Sequence, residues 1–289
     1  MGEFKNWDDL TITDDFMFCK VMQNEKICRQ LLELILHVKV GKIKFLTSQH
    51  EIEVDPQSKA IAMDVYLRDE DKVVNVEMQN GHRLELPKRT RYYQAVADVD
   101  NTAPGKLYTD MKDNYVIFIC TFDPFLLGNA VYEFENICMS CKPPLPLNDG
   151  THKIFLNTTA DDLTLLDPDL KLFYDYVRCG AAESQLTERI SGEITAIKKN
   201  REARRKYMTY TTRIMEAKTE AHELGRMEGI AIGEKLGEER GRSKGISLGI
   251  TQGAYQKAVE TAKKFLAMGL SVEQVADGTG LSPEEIEKL

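Results

Sequence analysis

Asp64, Glu77 and Gln79 place two carboxylates and an amide in two short runs of alternating apolar and polar residues. If Asp64 and Glu77 lie opposite each other on paired strands, their Cβ atoms are roughly 5 Å apart. Like charges at that distance destabilise a sheet unless a cation lies between them. Mg²⁺ prefers hard oxygen ligands, often one or two carboxylates with substrate phosphate and water. One interpretation is therefore a divalent-metal site, and the alternative is that both acids belong to a solvated sheet face.

A predicted β-hairpin over residues 60–80 would bring these side chains together. Two runs of alternating apolar and polar residues flank the polar stretch 68–72, which is typical of a hairpin turn. With the turn centred between Glu70 and Asp71, one face is wholly apolar, and a shift of one residue would lose this. That face pairs Met63 with Met78, Val65 with Val76, and Leu67 with Val74. The other face then pairs Asp64 with Glu77, and Ala62 with Gln79.

Strand and helix patterns alternate in the first 160 residues, and helical patterns alone follow, which predicts an α/β core with a helical C-terminal part. Residues 115–120 form a continuous apolar run, the pattern of a strand buried on both faces. The other predicted elements are a helix over 13–37 capped by Thr13, strands over 43–52, 61–67, 73–79, 131–134 and 153–156, a helix over 87–98, and helices from 167 onward.

The hairpin resembles the D…(D/E)-x-K active site of the PD-(D/E)XK nucleases, with Gln79 in the place of Lys. In this respect it is similar to the recombination-promoting nuclease (Rpn) and transposase-like family. Four further segments resemble family signatures and occur in the same order along the chain as in the family. They are 13–18 (TDDFMF), 89–94 (RTRYYQ), 122–125 (FDPF) and 153–157 (KIFLN), and the resemblance covers roughly residues 10–215. The resemblance implies a restriction-endonuclease-like core, with a mixed central sheet flanked by helices and an all-helical C-terminal extension.

The activity that this resemblance implies is Mg²⁺-dependent endonucleolytic cleavage of DNA, in recombination, mobile-element biology or phage defence. Asp64 and Glu77 would bind the ion, with the Met78 carbonyl as a third protein ligand; Mn²⁺ or another divalent cation is an alternative. Gln79 would position the attacking water or a phosphate oxygen through its amide, without the charge of a lysine. Ala62 stands where many relatives carry Arg, which would weaken binding or cleavage.

Two accessory positions follow from the same resemblance. Gln94 would face the site, although a surface amide beside core tyrosines is an equal alternative. Asp15, in the first helix, would supply an acidic metal contact, although helix capping is the favoured role.

The charge distribution bears on DNA as a partner. The net charge of −8 argues against indiscriminate binding to nucleic acid, but basic residues cluster in two places. These candidates for DNA contact are Arg83, Lys88, Arg89, Arg91, Lys198, Lys199, Arg201, Arg204 and Arg205. Solvated helix faces are the alternative for both clusters.

A cytoplasmic location without membrane attachment is expected, because the chain has no long apolar run and its N-terminus lacks the apolar core of a signal peptide. Its six cysteines are then expected to be free thiols. Cys138 and Cys141 have the spacing of half a zinc site, but a second pair of ligands is missing.

Glycines recur at every fourth position from 225 to 253. Each destabilises an isolated helix by about 1 kcal/mol relative to Ala. Glycine ridges let helices approach closely, so we expect a homodimer or higher homo-oligomer formed through the C-terminal helical region, with a flexible linker as the alternative. The expected organisation is a nuclease-like domain over 1–180, a helical extension over 181–222, the glycine-periodic segment 223–256, and a small helical unit over 257–289.

Two other functions compete with a nuclease. One is a catalytically weak or inactive DNA-binding or regulatory protein that keeps the fold, which Gln79 and Ala62 favour. The other is an interaction protein built around its C-terminal segment.

Overall fold

The computed structural model describes residues 4–43, 45–52, 61–81 and 84–289, with side chains described outside 45–52 and 61–62. Its contacts divide the chain into two compact units, Met1–Thr211 and Thr212–Leu289. None of the helices in the described ranges is long and apolar enough to cross a membrane.

The strands of the first unit form a mixed sheet. In chain order they are β1 (Phe45–Ile52), β2 (Ile61–Arg68), β3 (Lys72–Gln79), β4 (Asp113–Cys120), β5 (Val131–Phe134), β6 (Ile137–Cys138), β7 (Leu145–Pro146) and β8 (Thr151–Asn157). Within the described residues, six of them form one sheet in the order β1-β2-β3-β4-β8-β5, and β6 pairs with β7. The strand pairs β3–β4 and β4–β8 are parallel, and the outer pairs are antiparallel.

Helices cover both faces of this sheet and make up most of the C-terminal third. They are α1 (Asp15–Met22), α2 (Glu25–Leu36), α3 (Leu86–Asn101), α4 (Pro168–Cys179), α5 (Gln185–Lys199), α6 (Arg201–Ala267), α7 (Val272–Thr279) and α8 (Pro283–Ile286). The prediction of one helix over residues 13–37 is wrong, because the helix is interrupted at Gln23 and Asn24. There Asn24 caps α2, accepting a hydrogen bond from the Lys26 N–H, and α1 is preceded by Asp14 rather than Thr13.

Two apolar clusters hold the sheet between its helices. Val65, Val76 and Ile117 belong to the larger cluster, which includes side chains of α1, α2, α4 and α5. Tyr66, Phe118 and other side chains of the opposite face pack against α3. The central run of β4 is therefore buried on both faces, as its sequence predicts. The face that carries Glu77 lies under α3, so the alternative of a solvated sheet face is wrong.

The β2–β3 hairpin has the predicted register where its strands are paired, with Val65 opposite Val76 and Leu67 opposite Val74. The predicted strand pairings of Asp64 with Glu77, Met63 with Met78 and Ala62 with Gln79 are wrong. The regular pairing ends at Val65–Val76, and Met63 packs into the cluster under α3 while Met78 belongs to the opposite cluster. Met63 and Val65 therefore belong to clusters on opposite faces of the sheet, which departs from the alternation along a regular strand.

The second unit contains most of α6 together with α7 and α8. α6 is a continuous helix through all the periodic glycines, and a Cβ atom added at any of those from Gly225 to Gly253 would meet nothing within 4 Å. α7 and α8 begin at the predicted N-caps, Ser271 and Ser282, each forming a reciprocal capping box with the third helical residue. Ala262, Val275, Leu281 and Ile286 form the small core of this unit.

Candidate active site

The carboxylates of Asp64 and Glu77 converge where the two strands of the hairpin separate. The Asp64 N–H donates a hydrogen bond to Glu77 Oε1 at 3.2 Å, and the Met78 N–H donates one to Asp64 Oδ2 at 3.1 Å. Each side chain thus takes a backbone donor of the opposite strand, in the place where the regular ladder has ended. This exchange holds both acids between the strands, close to each other.

Burial and neighbouring negative charges disfavour the charged forms of both acids. Glu77 is 2% exposed, whereas Asp64 stays partly accessible. Burial raises the pKa of Glu77 to about 7, against the opposing effects of Arg89 and of hydrogen bonds from Asp64 and Asn75. Burial also raises the pKa of Asp64 well above its usual value, and the charges of Glu77 and Asp15 raise it further. A positive ion beside this pair would favour the ionised forms of both.

Arg89, from the first turns of α3, reaches the same acids. Its Nη2 lies 3.3 Å from Glu77 Oε2, and its Nη1 donates a hydrogen bond to Gln79 Oε1 at 3.1 Å. Nη2 also donates to Tyr93 Oη at 2.6 Å. The site therefore contains a guanidinium between Glu77 and Gln79.

A cleft of about 410 Å³ opens beside these side chains. Its floor contains Asp64, Glu77, Gln79 and Arg89, and its rim includes residues from α1 and α6: Asp15, Phe16, Tyr207 and Tyr210. Asp15 is the first residue of α1, and Asp14 holds the preceding turn by accepting a hydrogen bond from the Thr11 N–H. The N-cap of α1 is Asp14, and Asp15 lies on the cleft, where its charge raises the pKa of Asp64.

The sheet and the acidic residues of the cleft lie within a known family of domains. A family model described as a PD-(D/E)XK nuclease family transposase matches residues 13–157, half of the 289-residue chain. The chain belongs to this family. The match confirms both the resemblance drawn from the motifs and the fold class, a mixed sheet flanked by helices with a helical C-terminal extension. No curated protein and no solved structure matches the chain.

The matched range contains all of the PD-(D/E)XK motif, and nucleases with this motif typically use divalent metals. Among the described residues, no group of three or more His, Cys, Asp or Glu side chains is arranged to hold a metal. Two carboxylates completed by a backbone carbonyl, water and substrate phosphate are nevertheless a sufficient set for Mg²⁺. The thiols of Cys138 and Cys141 lie 3.2 Å apart on the β6–β7 hairpin, away from this cleft.

Gln94 lies elsewhere, so its predicted place at the site is wrong. Its side-chain amide is buried and donates hydrogen bonds to the backbone carbonyls of Asn114 and His152, at 3.3 and 3.2 Å. It thereby ties α3 to the beginning of β4 and to β8.

Most of the basic candidates for DNA contact lie on exposed helix surfaces. Lys88 and Arg91 are exposed on α3, and Arg83 lies outside the described residues. Lys198 donates a hydrogen bond to the Asp8 carbonyl at 2.6 Å, so it also ties α5 to the N-terminal segment. The exposed members of the second cluster are Lys199, Arg201, Arg204 and Arg205.

Three features of the site were not predicted from the sequence. The sequence pattern predicts only DNA contact for Arg89, although its i,i+4 spacing to the buried Tyr93 places it on the inner side of α3. Tyr207 and Tyr210 line the cleft from outside the matched range, and the signal in the sequence is their place directly after the basic run 198–206. Asn75, which donates to Glu77 Oε1 at 3.1 Å, is a buried polar residue on an apolar strand.

Proposed function

We propose that this family member is a Mg²⁺-dependent DNA endonuclease that acts in the cytoplasm, with Mn²⁺ or another divalent cation as an alternative ion. The observation that carries the proposal is the convergence of Asp64 and Glu77 at the cleft, within a PD-(D/E)XK domain. Recombination, mobile-element biology and phage defence remain the proposed settings.

The chemistry of the donor set fits a hard divalent cation. Asp64 and Glu77 would hold the ion, with the Met78 carbonyl as a further ligand. Asp64 Oδ1 accepts no hydrogen bond from the described residues, which leaves it available to a ligand. When bound, the ion would polarise the scissile phosphate and lower the pKa of the attacking water.

The surrounding side chains have roles that follow from their contacts. Asn75 and the Asp64 N–H hold Glu77 Oε1, so the carboxylate keeps one orientation. Gln79 would position the attacking water or a phosphate oxygen through its side-chain amide. Asp15 would add negative charge at the rim, which increases the attraction for a cation.

DNA cleavage can be tested with supercoiled plasmid in the presence of Mg²⁺. Asp64→Asn and Glu77→Gln are expected to lower the nicking rate by at least about 100-fold, because each removes a charged ligand. Asp161→Asn, an exposed acid outside the cleft, is the matched control and should cleave at the wild-type rate. Unchanged nicking in both site variants would exclude this site.

A second candidate function is a DNA-binding or regulatory protein that cleaves weakly or not at all. The ion pair between Arg89 and Glu77 favours it, because a guanidinium already neutralises one of the acids. In that case the wild type would bind labelled DNA but leave plasmid intact with Mg²⁺, Mn²⁺ and other divalent ions.

We also propose that α6 mediates self-association, as a homodimer or a higher oligomer. Large apolar side chains are exposed along this helix, among them Leu224, Ile232, Leu236, Ile246 and Leu248. Light scattering on the full chain should give a multimer, and deleting residues 223–289 should give a monomer that still cleaves. If the chain is instead an interaction protein, the same deletion should abolish assembly, and neither the full chain nor the deletion variant should cleave DNA.

A further inference from the structure

A positive charge is missing from the motif of this chain, because Gln79 stands where the resembling active sites have Lys. Negative charge develops on the phosphate oxygens during phosphodiester hydrolysis, and a preorganised donor lowers the barrier. In the described part of the chain, the cleft is lined by two basic residues, Lys5 and Arg89. Lys5 is 49% exposed and pairs with Asp14 at 2.9 Å. Arg89 is the cation that contacts the motif.

We infer that Arg89 supplies, from α3, the charge that Gln79 does not carry, and that its guanidinium binds a non-bridging oxygen of the scissile phosphodiester. This inference rests on the proposed function and assigns a further catalytic residue to the same site. A planar guanidinium suits this role, since its fork of N–H groups matches the geometry of phosphate oxygens.

The position of Arg89 is fixed by contacts on several sides. Its guanidinium carbon lies 5.2 Å from the ring centroid of Tyr93 and 5.5 Å from that of Phe118. Tyr93 Oη accepts a hydrogen bond from Nη2, and Phe118 is fully buried in β4. Two aromatic rings and a hydroxyl therefore hold the cation in place before any substrate arrives, so little reorganisation is required.

The contacts of Arg89 leave part of its donor set for a substrate. A guanidinium has five N–H donors, and those used within the described residues go to Gln79, Glu77 and Tyr93. The Nε–H and the second N–H of Nη1 have no acceptor among those residues. Because the side chain lines the cleft and is 21% exposed, these donors can reach a phosphate there.

The same contact gives Gln79 a defined orientation. Its Oε1 accepts the hydrogen bond from Arg89 Nη1, so its Nε2 cannot face the guanidinium. The amide N–H groups are then directed away from Arg89 and can donate to a water or a phosphate oxygen. Arg89 and Gln79 together would replace one lysine: Arg89 supplies the positive charge, and Gln79 positions the water or the phosphate oxygen.

Arg89→Gln tests the inference, because it removes the charge while keeping a polar side chain. We expect kcat for plasmid nicking to fall by about 100- to 1000-fold, the usual effect of losing one donor to a developing anion. The Kd for a fluorescein-labelled duplex without metal should change by less than about ten-fold, since one phosphate contact is a small part of binding. Arg189→Gln, an exposed arginine on α5, is the control and should leave both values unchanged.

Restoring the charge at the motif provides the decisive comparison. Adding Gln79→Lys to Arg89→Gln should recover kcat by at least about ten-fold, whereas Gln79→Lys alone should give no increase, since the site already holds a cation. A ten-fold gain in that single variant would overturn the inference even if Arg89→Gln did not fold. The inference would also be overturned if Arg89→Gln had the wild-type kcat. The same holds if the double variant folded but cleaved as slowly as Arg89→Gln. A wild type that cleaves nothing would instead overturn the proposed function.

Discussion

Raising the pH is expected to destabilise the metal-free protein through Glu77. The folded protein binds this proton more tightly than the unfolded chain, because burial raises the pKa from its ordinary 4.5 to about 7. The contribution of this bound proton to the free energy of unfolding is fully present below the ordinary pKa of 4.5 and is lost as the pH rises through 7. At 1.36 kcal/mol for each pKa unit, the loss is on the order of 3 kcal/mol. The raised pKa of Asp64 acts in the same direction.

Urea unfolding in EDTA, between about pH 4.5 and pH 8, can measure this loss. Glu77→Gln is the reference, because its neutral amide has the shape of the protonated acid but does not titrate. The free energy of unfolding of this variant, minus that of the wild type, should increase by about 3 kcal/mol across the interval. Mg²⁺ near pH 8 should stabilise the wild type and leave Glu77→Gln nearly unchanged. A difference that stays flat with pH would refute the assignment of a raised pKa to Glu77.

Three further substitutions test the packing beside the cleft, the loop that follows β4, and the helix α6. Trp7→Ala removes a buried ring that contacts Phe16 and Tyr207, and should lower the free energy of unfolding by about 3–5 kcal/mol in urea; a loss below 1 kcal/mol would contradict this packing. Asp123→Ala removes the acceptor of three loop N–H groups and a tyrosine hydroxyl, and should cost on the order of 2 kcal/mol in the same assay. Gly237→Ala should stabilise α6 by about 1 kcal/mol, seen as a higher helical melting temperature by circular dichroism, and a lower one would show that the glycine surface is covered.

The hairpin shows how much of the site could be predicted from sequence. Side chains alternate between faces along a strand, so the apolar residues around the turn allow one register, and Val65 does pair with Val76. Continued beyond Val65, that register would place Asp64 opposite Glu77, and the two side chains do lie close together, although the regular pairing has ended there. The buried strand β4 was equally predictable, since a continuous apolar run requires cover on both faces.

The geometry at the end of the hairpin could not be predicted in the same way. The alternation of side chains between the two faces assumes that the backbone N–H groups of a strand bond regularly to the adjacent strands. Here the Glu77 carboxylate takes the N–H of Asp64, and the Asp64 carboxylate takes that of Met78. The pairing therefore ends at Val65–Val76, before the predicted pairs of Asp64 with Glu77 and Met63 with Met78, and Met63 faces α3.

The positions of Arg89 and Gln94 depend on how α3 is rotated about its axis. Both lie in the segment that resembles the family, so the sequence places both near the motif. The packing of Tyr93 against Phe118, with ring centroids 6.3 Å apart, turns Arg89 towards Glu77 and directs Gln94 to the backbone of β4 and β8. No local pattern fixes this rotation, because it results from contacts with strands that are distant in sequence.

Anomalous diffraction from crystals soaked in Mn²⁺ would locate the ion itself. We expect one peak within about 2.3 Å of an oxygen atom from Asp64 and of another from Glu77, with Arg89 still beside Gln79. A map with no peak there, in which Arg89 remains the only cation bound to Glu77, would contradict this prediction.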